Sequence, residues 1–131
     1  MGDRGGQVTS PWIVRLLRLV GAAGLALPAL GKAVGAWPTE PLESVTTAGI
    51  GLCEALLAIG MLTDRLARPA ALMTVMLCFT IIGIATFGPA EPCACFGVLW
   101  STSRAERVLY SSALGFVCTV LLSLRRPANA A

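Results

Sequence analysis

Residues 69–87, PAALMTVMLCFTIIGIATF, contain no charged side chain and are closed by Gly88-Pro89. A helix rises about 1.5 Å per residue, so roughly 20 apolar residues cross the ~30 Å of hydrocarbon in a bilayer. This run is of that length. An open strand in lipid would leave its backbone N–H and C=O groups unpaired, whereas a helix satisfies them within the segment. The stretch is therefore read as a membrane-spanning helix.

Three more runs of the same kind lie to either side. The first extends from about Trp12 to Trp37 and is interrupted by Pro28 and Lys32; the second covers about Val45 to Leu62. The last covers about Val108 to Leu124 and stops at Arg125-Arg126-Pro127. Four spans, 12–37, 45–62, 69–87 and 108–124, account for most of the 131 residues and leave room for a single membrane domain over 1–131. Composition agrees: 56% of residues are hydrophobic, 13% are charged, and the mean hydropathy is +0.77, well beyond an ordinary soluble domain. The expected fold is all-α, an integral membrane antiparallel four-helix bundle in contact with membrane lipid, its short connections setting successive spans side by side. Arg15 and Arg18 before an apolar stretch also fit a secretory signal, but the run is longer than a usual signal core.

Charge sets the expected orientation. Arg4, Arg15 and Arg18 flank the start of the first span, Arg65 and Arg68 lie between the second and third, and Arg125 and Arg126 follow the fourth. In a four-span chain these groups share one side, and the positive-inside rule makes that side cytoplasmic. Both termini are then cytoplasmic, and the first and third connections, with Glu40, Glu43 and Glu91, face outward across the cytoplasmic membrane. Arg104 and Arg107 weaken the asymmetry. Trp12, Trp37 and Trp100 fall near span ends, where interfacial aromatics collect.

The outward third connection carries Glu91-Pro92-Cys93-Ala94-Cys95-Phe96-Gly97. Outside the cytoplasm disulfides persist. A bond between Cys93 and Cys95 closes a very small ring, and departures from relaxed geometry make a disulfide easier to reduce. It would shorten almost no loop, so it has little value as a staple. The pair therefore reads as an exchangeable redox couple, with metal binding and a structural loop as the other readings. The attacking species is a thiolate, which Arg104 or Arg107 would favour and Glu91 would oppose.

Cys93-Ala94-Cys95-Phe96-Gly97, set between a third and a fourth span, resembles the Cys-Gly-Cys-Phe-Gly signature of the MauE branch of the DoxX-like membrane proteins, with Ala94 in place of the central glycine. Gly31-Lys32 near the outer end of the first span and Glu54 in the second are similar to residues of that family. The resemblance implies a four-helix membrane protein that assists thiol chemistry outside the cytoplasm with a thioredoxin-like partner. MauE itself is tied to maturation of the disulfide-rich small subunit of methylamine dehydrogenase.

Glu54 lies about nine residues into its span, ~14 Å deep. A carboxylate at that depth is costly unless paired, protonated or hydrated. One reading makes it a proton acceptor beside a quinone or redox site. The other makes it the structural partner of Lys32, whose long stem also allows it to snorkel outward. Cys53 and Cys78 come at similar depths, so a second thiol pair relaying electrons inward is one reading and small apolar packing the other. Cys118 reads as packing alone.

The chain has no histidine, which excludes imidazole-ligated haem, a His-based triad and a His-containing zinc site within it. Nothing resembles a phosphate loop or a nucleic-acid surface, and no nucleic-acid partner is expected. Three function classes remain. The first is a membrane thiol-disulfide redox protein, in enzymatic terms a thiol-disulfide oxidoreductase, using Cys93 and Cys95 on a thioredoxin-like or substrate protein, with Glu54 as proton acceptor and quinone as the cofactor that this role would involve. The second is an accessory subunit of a larger membrane complex. The third is a Cu(I)-handling protein, for which Met61, Met73 and Met76 would have to join the thiols.

Overall fold

A computed structural model of the chain describes residues 10–34, 41–88 and 103–124, without the side chains of 41–44. These residues form four helices: α1 (Pro11–Val34), α2 (Pro41–Leu62), α3 (Ala67–Phe87) and α4 (Arg104–Ser123). All four are long and apolar enough to cross a membrane. Each packs on its neighbours in sequence, and α1 also packs on α4, so the ring closes into an antiparallel bundle, with the α1–α2 and α3–α4 interfaces the more extensive. We call the end where α1 and α3 stop and α2 and α4 start the upper end.

Local chemistry sets the ends more closely than hydropathy does. Three helices begin two to four residues before the apolar runs. Proline suits the first helical position, where its missing N–H has no intrahelical partner to lose, and α2 starts at Pro41. At the start of α4, the Ser103 side chain accepts from the Glu106 N–H at 3.3 Å while Glu106 accepts from the Ser103 N–H at 2.7 Å. This reciprocal cap satisfies two orphan donors and allows α4 to include Arg104 and Arg107. Thr63–Leu66 connect α2 to α3, with the Leu66 and Ala67 N–H groups donating to the Thr63 carbonyl at 3.1 and 2.9 Å.

Buried positions recur in alternating steps of four and three, Gly21, Leu25, Pro28 and Lys32 on α1, Glu54, Ala58 and Met61 on α2, and Ala67, Ala71, Thr74 and Cys78 on α3, while on α4 Arg107 and Ser111 are followed one heptad on by Cys118 and Leu121. A 3.5-residue repeat is the seam of left-handed helix packing. Most of these side chains are small, which lets backbones approach closely in lipid. At Gly60 an added Cβ would lie 3.0 Å from the Ala70 Cβ, so α2 and α3 meet there almost backbone to backbone. The large apolar residues face outward: Leu27, Phe79 and Phe116 are 64%, 67% and 70% exposed. Water would penalise that surface and lipid does not.

Candidate functional site

The bundle interior differs from end to end. Its lower half is mainly apolar, with Ala22, Leu25, Ala58, Met61, Ala70, Ala71, Cys118 and Leu121 forming one cluster; the buried Thr74 hydroxyl there donates to the Ala70 carbonyl at 2.8 Å. Toward the upper end the seam residues become polar: Lys32, Glu54, Arg107 and Ser111 are all buried.

Lys32 and Glu54 form the centre of this polar half. Lys32 lies in the last turn of α1, and its stem runs over Gly51 of α2, where an added Cβ would sit 3.5 Å from the Lys32 Cβ and Cδ. Its Nζ donates to both Glu54 oxygens, at 2.8 and 2.7 Å, and the side chains are 4% and 6% exposed. Lys32 therefore turns inward and does not snorkel to the surface. Removing two charges from water costs several kcal/mol per ion, and lipid offers neither group another partner. The bidentate pairing is the arrangement expected of Glu54 as the structural partner of Lys32.

Tyr110 belongs to the same half, and sequence reading missed it. Pro28 has no N–H, so the Gly24 carbonyl one turn earlier in α1 loses its intrahelical donor. In lipid such an acceptor must be satisfied from elsewhere in the protein. The Tyr110 hydroxyl, reaching across from α4, donates to that carbonyl. Pro28 inside a span was the available signal, since it announces an unpaired carbonyl four residues upstream; which residue satisfies it depends on packing.

Arg107 turns inward, unlike the exposed Arg15, Arg65 and Arg68. The capping box draws it into α4, where it is 9% exposed, and its Nε has no hydrogen-bond partner among the described residues. Arg104, by contrast, is exposed and donates through Nη2 to the Gly88 carbonyl at 3.2 Å, tying the end of α3 to the start of α4. Comparison with protein-family models, with characterised proteins and with solved structures gives no match.

The remaining sulfurs are separated. Cys53 is exposed on α2, whereas Cys78 is buried against Gly115 of α4 and Cys118 lies in the core beside Gly21. A relay from Cys53 to Cys78 is not assembled, because one faces outward and the other inward. Met61 is fully buried while Met73 and Met76 are exposed, so they do not converge. Among the described residues no three Cys, Asp or Glu side chains come together as metal ligands would. Cys93 and Cys95, along with Trp37, Trp100, Glu40 and Glu91, lie outside the described residues.

Proposed function

We propose that this chain is a membrane thiol-disulfide redox protein in which Cys93 and Cys95 cycle between dithiol and disulfide in exchange with an extracytoplasmic thioredoxin-like or substrate protein. The observation that carries this reading is the gathering of the buried charged residues among those described, Lys32, Glu54 and Arg107, with Ser111, toward the end from which the Cys-containing connection leaves α3 and enters α4, while the buried Thr74 lower down is bonded to its own helix at the Ala70 carbonyl. Redox chemistry of thiols moves protons as well as electrons, and among the described residues the buried charged groups lie in that half of the interior.

In each cycle a thiolate of one partner attacks a sulfur of the other's disulfide. A mixed disulfide forms, and the second thiol of the attacking pair displaces it. Two electrons and two protons pass from the dithiol to the disulfide. If a quinone resets the pair, it takes those two electrons and two protons and becomes a quinol. Glu54, the buried carboxylate among the described residues, is the proton acceptor in that version. The orientation belongs to the proposal: cytoplasmic membrane, termini inside, Cys93 and Cys95 outside. The similarity of Cys93–Gly97 to the MauE and DoxX-like signature supports the same role.

The test is thiol trapping in intact cells with a bilayer-impermeant maleimide, with and without prior reduction. The expected result is labelling of Cys93 and Cys95 from outside only after reduction, and loss of partner oxidation or reduction in the Cys93→Ser/Cys95→Ser variant. Full activity of that double variant would remove the proposal.

One observation favours an accessory-subunit role as a second reading. A groove of about 900 Å³ runs along the outside of α1 and α2, lined by Ala22, Ala26, Ala29, Ala48, Gly51 and Ala55 among others. Small residues of this kind let a further helix approach closely. Purification in mild detergent as a stoichiometric complex supports this role, and a lone chain of 13.6 kDa in its detergent micelle counts against it.

A further inference from the structure

The groove on the outside of α1 and α2 continues downward into positive charge. On α1 its wall follows one helical row, Leu19, Ala22, Ala26, Ala29 and Ala33, in alternating steps of three and four. Arg15 stands on the same row, one turn or ~6 Å below Leu19. On α2 the wall ends at Leu62, and Arg65 follows in the connection to α3. Both arginines are exposed. Among the described residues the lower end of the bundle carries Arg15, Arg18, Arg65 and Arg68 against Asp64, and Asp64 is engaged by Arg18.

The upper end of the groove is different. Lys32 and Thr47 are the polar residues of its lining, and Lys32 gives the wall only its stem, because its ammonium is turned to both Glu54 oxygens. The charge there is balanced within the protein. Between the two ends the walls are alanine, glycine, leucine and isoleucine. An occupant must therefore be apolar along its length and anionic at its lower end. A second copy of this chain does not meet that condition through the same face. Two copies share an orientation in the membrane, so a two-fold contact of groove on groove sets Arg15 and Arg65 against their own counterparts, and opposed like charges disfavour it.

We propose that this groove is a site for an anionic phospholipid, with an acyl chain lying along α1 and α2 and the headgroup phosphate met by Arg15 and Arg65. A guanidinium pairs with phosphate oxygens through parallel N–H donors, and basic pockets beside membrane helices bind anionic headgroups. One leaflet is half of the ~30 Å hydrocarbon layer, or about ten residues of helix, so a chain entering from below covers the wall from Leu19 to about Ala29. Ala22 and Ala26 on α1 and Ala55 and Ala58 on α2 leave it room over that length. The site is independent of whether Cys93 and Cys95 cycle.

The experiment titrates the full chain, stripped of lipid in a neutral detergent, with phosphatidylglycerol or phosphatidylcholine of identical chains, and counts the retained lipid by native mass spectrometry. A single phosphatidylglycerol is expected to bind saturably, roughly tenfold or more tighter than phosphatidylcholine, as two arginines beside an anionic headgroup supply. Arg15→Gln and Arg65→Gln should each weaken it about fivefold, the share of one cation. Ala26→Leu fills the groove and should abolish saturable binding although both arginines remain. All three positions are exposed, so these variants leave the bundle interior untouched. Equal retention of the two lipids overturns the proposal. So does full binding by Ala26→Leu, or displacement of the lipid by an equal concentration of soluble glycerol phosphate, since the arginines would then hold a headgroup without the groove. Cross-linking of an Ala26→Cys protein in the membrane to a second copy, or to a helix of another subunit, also overturns it, because protein would then fill the groove.

Discussion

Among the described residues two ion pairs join α1 to the α2 region, one toward each end of the bundle, and they operate in different ways. At the upper end Lys32 and Glu54 are enclosed, with side chains 4% and 6% exposed. At the lower end Arg18 meets Asp64 at 2.5 Å, but the acid is 83% exposed and the arginine 12%. Arg18 also donates through Nε to the Met61 carbonyl and through Nη2 to the Leu62 carbonyl, both at 2.7 Å. Those are among the last carbonyls of α2, which have no intrahelical donor. The lower pair is thus mainly a helix cap that includes a carboxylate, and the upper pair is two charges that exist only for each other. Environment, more than residue type, decides what an ion pair contributes.

The contrast can be broken most sharply at the upper end. Glu54→Leu leaves the Lys32 ammonium buried and unpaired and is expected to cost about 3–5 kcal/mol. Adding Lys32→Met should recover most of that loss, since an apolar pair of similar volume is often no less stable. Denaturant unfolding in micelles measures both, and a Glu54→Leu protein as stable as wild type would show that the pair is hydrated.

A smaller effect is expected one layer down. Tyr110→Phe leaves the Gly24 carbonyl without a donor, at a cost of about 1–3 kcal/mol. Pro28→Ala should erase the difference between Tyr and Phe at 110, because it returns an N–H to that carbonyl; strict additivity of the two substitutions would refute the link. The smallest changes belong to the lower pair. Asp64→Ala should cost no more than about 1 kcal/mol, as exposed pairs do. Arg18→Ala should cost more, about 1.5–3 kcal/mol for a charged donor lost from the carbonyls. Equal losses would mean that the salt bridge, not the cap, is what matters at that end.

Much of the architecture was legible before any coordinates. The uncharged run at 69–87 matches α3 apart from two residues at its start, and the ends near Leu62, Phe87 and Leu124 agree within one residue. Starts were less legible: charges at 104, 106 and 107 interrupt the apolar run, but Ser103 and Glu106 cap the helix through them. Glu54 was legible as an anomaly because a carboxylate midway along an apolar run is conspicuous. Lys32 was its named partner, yet its inward turn was not fixed. Arg107 looked like every other arginine beside a span, since nothing local distinguishes a buried guanidinium from one in the headgroups.

What the sequence by itself determined was the count, length and helical state of the spans. Burial in lipid is a sum over about 20 consecutive residues, and a helix closes its hydrogen bonds within four residues of chain, so both are local quantities. Tertiary structure alone decided which face of each helix turns inward. Apolar residues surround these helices on all sides, leaving the small and polar seam as the one directional signal, and its members find partners far along the chain. Lys32 and Glu54 are 22 residues apart and Tyr110 and Gly24 are 86 apart. Those pairings, and the burial of Arg107 among them, depend on how four helices pack against one another.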